Sequence, residues 1–168
     1  MGLFSLFKPA QTVLVIDTVS LNESLGMKGK VPPRNQLQLL RRLARFSQRE
    51  KLTLVAVLSG APLNKAPAGK KFEGITVVYS KSRESHVKCL VRTANAKGAG
   101  AVLVSGNPAA EKLRRGAAKN LRVSTFRKAF DSTSDSGGKE RSASGGRGNR
   151  SPRENRQKPS TSNIQKEK

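Results

Sequence analysis

The chemistry open to this sequence narrows quickly to one carboxylate. Asp17 closes the apolar run Val13-Leu14-Val15-Ile16, which puts it at the carboxyl end of a predicted strand, where open α/β sheets meet their ligands. A carboxylate there can hold Mg²⁺ against a phosphodiester if a second carboxylate or the substrate phosphate completes the site. The plainer alternative is an Asp that caps its own loop through local side-chain bonds. His86 and Cys89 are the only His and Cys. Both fall in a predicted helix, with no nucleophile or carboxylate at a matching spacing. His86 therefore reads as a partly packed or exposed imidazole, and Cys89 as a small packed residue. One Cys leaves no internal disulfide and no Cys-based zinc site, and one His leaves no multi-histidine metal site. Neither a Walker A pattern nor GxGxxG is present, so nucleotide-dependent chemistry finds no support.

What the composition does offer is anion binding. The 168 residues include 33 Lys and Arg against 11 Asp and Glu, a net charge of +22. Residues 1–130 hold 24 of these bases and 6 of the acids, a net of +18; residues 131–168 hold 9 and 5, a net of +4. The excess belongs to the segment that looks folded. Residues 131–168 have one large aliphatic residue, Ile164, among Ser, Gly, Arg, Asn, Gln and Lys, too little to offset the entropy of ordering them. A disordered, solubilising tail is expected there, with Gly145–Arg150 as a single copy of an RGG-like stretch.

The apolar runs and periodicities predict what must position Asp17. Five β-rich runs, Thr12–Asp17, Leu52–Leu58, Ile75–Tyr79, Ala101–Ser105 and Leu121–Thr125, are continuous rather than alternating. That suits strands covered on both faces. Helical periodicity spans Arg34–Glu50, Glu84–Lys97 and Pro108–Lys119, the last opened by Asn107 as N-cap and Pro108 at the first helical position. Alternating strands and helices predict an α/β domain over residues 12–130, with a mostly parallel five-stranded sheet and helices on both faces. Residues 1–11 read as an N-terminal extension.

Two connections, Thr18–Pro33 and Ser59–Gly74, are long for a compact domain. They bring Lys28, Lys30, Lys65, Lys70 and Lys71, and Lys81 and Arg83 follow the third strand. A parallel sheet would gather all seven at one edge, where such self-repulsion calls for an anionic partner. The first helix adds Arg34, Arg41, Arg42, Arg45 and Arg49 within about 100° of arc opposite its leucines, a face suited to phosphate contact. The Ser105-Gly106-Asn107-Pro108 turn, opening into a helix, could cradle a phosphate.

The order of elements, with Ile16-Asp17, Leu58-Ser59-Gly60, Val77-Val78-Tyr79-Ser80 and Val104-Ser105-Gly106-Asn107, resembles the NYN/PIN-like ribonuclease superfamily, and its YacP-like branch in length and layout. The resemblance covers Thr12–Phe130. It implies a doubly wound α/β/α domain acting on RNA, with active members using several Asp residues at the carboxyl edge of the sheet to bind Mg²⁺ or Mn²⁺. This sequence departs from that pattern at most of the acids. Asp17-Thr18-Val19-Ser20 stands where the family has Asp-Gly-Tyr-Asn. Ser59-Gly60 follows the second strand, His86-Val87 falls where the second helix would carry an acid, with Glu84 nearby, and Gly106-Asn107 follows the fourth strand. A divalent ion held by Asp17 alone among so many lysines is unfavourable.

The resulting expectation is a catalytically degenerate member that binds structured RNA, ribosomal RNA among the candidates, through phosphate-directed Lys and Arg, with no cofactor. With six Phe, one Tyr and no Trp, stacking of bases on exposed rings is not expected, leaving recognition by shape and charge. One alternative is an active Mg²⁺- or Mn²⁺-dependent endoribonuclease using Asp17 with Glu84 or Glu23. Another is an interaction module for an acidic protein. No apolar run approaches the ~20 residues of a membrane span. Met1–Phe7 lacks the regions of a signal peptide, and Leu6 stands where myristoylation wants Ser or Thr. A cytoplasmic setting is expected.

Overall fold

A computed structural model describes residues 12–113 and 119–132. Its elements are β1 (Val13–Asp17), α1 (Thr18–Ser24), α2 (Pro33–Glu50), β2 (Thr53–Ser59), β3 (Lys71–Phe72), β4 (Ile75–Ser80), α3 (Arg83–Lys97), β5 (Ala101–Ser105), α4 (Pro108–Leu113), β6 (Lys119–Arg122) and α5 (Val123–Ser132). The protein is an α/β structure on one sheet of six strands in the order β3-β4-β2-β1-β5-β6. Every pairing is parallel except β3 with β4. The sheet is thus mixed and six-stranded, not five-stranded.

Continuous apolar runs do become strands buried on both faces. Leu14, Ile16, Leu54, Ala56, Val102 and Val104 face one core with residues of α1, α2 and α5. Val15, Val55, Val57 and Leu103 face a second core with Cys89, Leu90, Val91 and Ala94 of α3 and Ala110 of α4. Alternate residues of a strand point to opposite faces, so the same run serves both layers.

The link from β2 to β4 is a parallel crossover without a helix; Val55 lies opposite Thr76. On the way it forms β3, which turns back through Glu73 and Gly74 to pair Phe72 with Ile75. Both turn residues have positive φ, 47° and 94°, as a two-residue hairpin between twisted strands requires. Tyr79 fixes the start of the same link. Its hydroxyl donates to Ala66 O at 2.6 Å and accepts from Leu63 N at 3.2 Å.

Three elements differ from the sequence expectation. Thr18–Ser24, expected as part of a loop, is α1. Leu121–Thr125, expected as a strand, is divided: β6 ends at Arg122 and Val123 opens α5. Burial decides this, because Val123, Phe126 and Phe130 line one helical face and are all buried. Phe126 and Phe130 meet Phe46 of α2 edge-on, at ring-centroid distances of 5.2 and 6.0 Å, a favoured aromatic geometry. Arg127 donates to Ser24 O, and Asp131 takes Arg42 at 3.3 Å and Arg127 at 2.9 Å. The folded part therefore extends through Ser132, past the boundary expected at residue 130. Lys119, expected to end the third helix, opens β6 instead. The N-terminal extension 1–11 and the tail from residue 133 lie outside the described residues, as does 114–118 of that helix.

If α5 closes the first core, Phe126→Ala should cost about 3–5 kcal/mol. Urea denaturation should report this as a lower midpoint with an unchanged slope.

Candidate functional site

β1 lies between β2 and β5, and the chain winds outward from it in both directions. The carboxyl ends of β1 and β5 flank the point where winding reverses, the position at which open α/β sheets form a crevice. Asp17 and Ser105 end these two strands and lie together there. A cleft of about 330 Å³ opens beside them, lined in part by Asp17, Ser20, His86 and Asn107.

Asp17 is the hub of this corner. It is 1% exposed and caps α1. Oδ1 accepts from Val19 N and Ser20 N, both at 3.1 Å, and from His86 Nε2 at 2.8 Å. Oδ2 accepts from the hydroxyls of Ser20 at 2.6 Å and Ser105 at 2.7 Å. A carboxylate offers about four lone-pair positions, and five donors fill them. The network continues outward. Ser105 Oγ accepts from Asn107 N at 3.0 Å, and His86 Nδ1 meets Ser80 Oγ at 3.0 Å, which also reaches Leu58 O at 3.2 Å. Burial pushes the Asp17 carboxyl up; the His86 hydrogen bond, the Ser20 hydroxyl, electrostatic attraction to His86 and the Ser105 hydroxyl outweigh it. The carboxyl ends below its ordinary value.

This donor set does not fit a divalent metal ion. Both carboxylate oxygens point at N–H and O–H donors, which are not metal ligands in this orientation. Among the described residues no group of three or more His, Cys, Asp or Glu could hold a metal. Of the carboxylates weighed as partners for Asp17, Glu23 is ion-paired with Arg83 and Glu84 is exposed.

His86 is the residue that sequence reasoning missed. It is 4% exposed, not partly solvated, and its partner lies 69 positions away in sequence. One signal was present: β2, β4 and β5 end in Ser59, Ser80 and Ser105, while β1 ends in Asp17. Of these hydroxyls Ser105 donates to the carboxylate directly, and Ser80 reaches it through His86. Ser105 is fully buried, its hydroxyl turned to Asp17. The turn also uses its own donors. Ala109 N bonds Asn107 Oδ1 at 2.9 Å, and Ala110 N bonds Asn107 O at 3.1 Å. Gly106 alone of the three is exposed.

The basic residues divide into two regions instead of gathering on one edge. Exposed Lys28 and Lys30 follow α1, exposed Lys81 and Arg83 follow β4, and Arg34 opens α2, all toward the carboxyl edge. Lys65 is exposed in the turn held by Tyr79. Lys70 and Lys71 are carried away from this edge, because β3 runs antiparallel to β4 and Lys71 pairs with Thr76 near its start. They lie toward the second half of α2, where Arg41 pairs with Glu73 at 3.5 Å and Gln48 donates to Glu73 O at 3.3 Å. Arg45 and Arg49 are exposed on that same stretch, Arg49 pairing with Glu50 at 2.9 Å. Arg42 is not on the open face; it lies 4.5 Å over the Phe130 ring. Lys88 and Arg92, which the sequence reading passed over, join Lys81 around a further groove of about 480 Å³ on the α3 side.

Among the described residues no helix is long and apolar enough to cross a membrane. No family model, no curated protein and no solved structure matches this chain.

Asp17→Asn presents an amide to donors and should destabilise the protein by about 1–3 kcal/mol at neutral pH, the cost of leaving buried donors without their acceptor. The depressed carboxyl stabilises the fold at pH above its ordinary value, and this contribution fades as pH falls through the lower folded value. Urea midpoints across the acid range should therefore drop in the parent protein, with that component absent in Asp17→Asn.

Proposed function

We propose that this protein is a non-catalytic binder of structured RNA, built on a NYN/PIN-like α/β/α scaffold whose acidic metal site has given way to hydrogen-bond donors. The observation that carries the reading is the state of Asp17, a single carboxylate fully engaged by five donors at a sheet edge otherwise rich in exposed Lys and Arg. A metal-dependent nuclease needs carboxylates with open lone pairs. A phosphate binder needs uncompensated cations, and among the described residues Lys28, Lys30 and Arg34 supply them toward the same edge of the sheet. The arginine face of α2 and the lysines of β3 extend the positive surface along one side, suited to successive phosphates of a folded RNA backbone. The chain's net charge of +22 supports fast, electrostatically steered association. Ribosomal RNA, abundant and highly structured, is one candidate target, in a cytoplasmic setting.

Binding of a fluorescent RNA hairpin should weaken about a thousandfold between roughly 50 and 200 mM salt, as expected for about six phosphate contacts. Replacing Arg34 and Arg45 together with Ala should lower the logarithmic salt slope by about two. Affinity that stays flat across this range would rule the reading out. Salt-insensitive binding to an acidic polypeptide would favour an interaction module instead.

A further inference from the structure

The groove of about 480 Å³ on the α3 side has three cations and no carboxylate in its lining. Lys81 follows β4 at the carboxyl edge, and Lys88 and Arg92 stand on α3. All three are exposed, and among the described residues none takes part in an ion pair. Four positions apart on one helix, Lys88 and Arg92 share a face and lie about 6 Å apart along its axis. The other polar side chains of the lining are already engaged. Ser80 bonds Leu58 O and His86, and the Tyr79 hydroxyl joins Leu63 and Ala66. Ser82 and Ser85 cap α3 through each other, and Cys89 is buried. Glu84, the one acid of α3, is not part of the lining. What the groove offers a ligand is a row of positive charge.

Its place in the fold decides which anion suits it. α2 packs on one core of the sheet and α3 on the other. The arginine face of α2 and this groove therefore belong to opposite layers, and a rigid duplex lying along α2 does not also lie in the groove. A volume in the ~300–1,000 Å³ range of small-molecule sites admits the backbone of one strand, not a helix of two. We infer that the groove holds a single-stranded segment of the docked RNA, which crosses the carboxyl edge at Lys81 and lays successive phosphates on Lys88 and Arg92. This deepens the RNA-binding reading and rests on it. Grooves for single strands commonly add aromatic platforms for the bases. Here Tyr79 is half-buried, and neither Phe nor Trp lines the groove. The bases therefore face solvent, and the contact reads charge and strandedness instead of sequence. The protein becomes a reader of junctions between duplex and single strand.

The test uses the full-length chain and three labelled RNAs: a blunt hairpin, the same hairpin with a short single-stranded tail, and one with an abasic tail of equal length. Both tailed RNAs should bind the parent protein at least tenfold more tightly than the blunt one. The tail should steepen the logarithmic salt slope by about two, as three single-strand phosphate contacts require. K88A/R92A should cut the tail's gain to less than threefold while leaving blunt binding unchanged. Both side chains are exposed, so its thermal midpoint should stay at the parent value. A tail that adds no affinity overturns the proposal, and blunt binding that persists with its steep salt dependence would then leave the RNA-binding reading standing. Equal loss of blunt and tailed binding in K88A/R92A also overturns it, by making the groove part of the duplex surface. A gain seen only with the base-bearing tail contradicts recognition by charge. If no RNA binds, the underlying reading falls with the proposal. Poly-glutamate that binds the parent but not K88A/R92A, with no gain from the tail, would make an acidic protein the occupant instead.

Discussion

A buried carboxylate is tolerable only when it is fully hydrogen-bonded, and the corner where β1 meets β5 is organised around that requirement. Asp17 takes donors from α1, α3 and the end of β5 at once. Its two backbone donors start α1, a short helix of β-branched and polar residues with little intrinsic tendency to form. Its His86 bond draws the first turn of α3 against β1, and Ser80 ties that imidazole back to β4. The Ser105 bond holds the turn into α4. Elements on both faces of the sheet are thereby referred to one atom pair, and loss of that charge would loosen each of them.

The same network accounts for the contrast between the corner and its surroundings. Inside, one negative charge is compensated by polarised donors and buried. Outside, cations stand in loops and along α2 with few acids to meet them. Some of these cations are structural. Arg42 and Arg127 share Asp131 and fasten α5 to α2 and α1, while Arg41 and Arg83 each have an exposed acid partner, and exposed pairs of this kind hold weakly. Among the described residues, Lys28, Lys30 and Arg34 carry charge with no ion pair, toward the carboxyl edge of the sheet. An anion entering there would relieve repulsion and could draw Arg83 from Glu23.

Much of this fold is legible in the sequence because the signal is local. β1, β2, β4 and β5 are apolar runs, and α2 and α3 are periodic stripes; their existence and order follow from the local sequence pattern. The misses came where a local signal competed with a distant contact. Leu121, Val123 and Thr125 carry strand-favouring side chains, but the Phe46 ring, available only after α2 docks, rewards the helical spacing of Val123, Phe126 and Phe130. Thr18–Ser24 has no apolar periodicity to read, and Asp17 as its cap makes the helix. The site was half legible. Asp17 stood out by its place at a strand end, and its local capping of α1 matched the plainer alternative. Its pairing with His86 is produced by two crossovers, which no spacing in the chain reveals. Lys70 and Lys71 were misplaced for a related reason, since β3 is only two residues long and reverses the direction that a simple crossover would give them.

The central claim is that Asp17 is a structural anchor closed to metal. The most direct measurement is a Mn²⁺ titration of the full-length protein followed by NMR, with the integrity of an added structured RNA tracked in the same samples. Paramagnetic broadening is expected to stay diffuse and unsaturable, with the His86 ring and the Ser20 and Ser105 amides retaining their signals and the RNA remaining whole. Saturable broadening centred on His86, Ser20 and Ser105, together with Mn²⁺-dependent cleavage lost in Asp17→Asn, would contradict the account and make this corner a metal site.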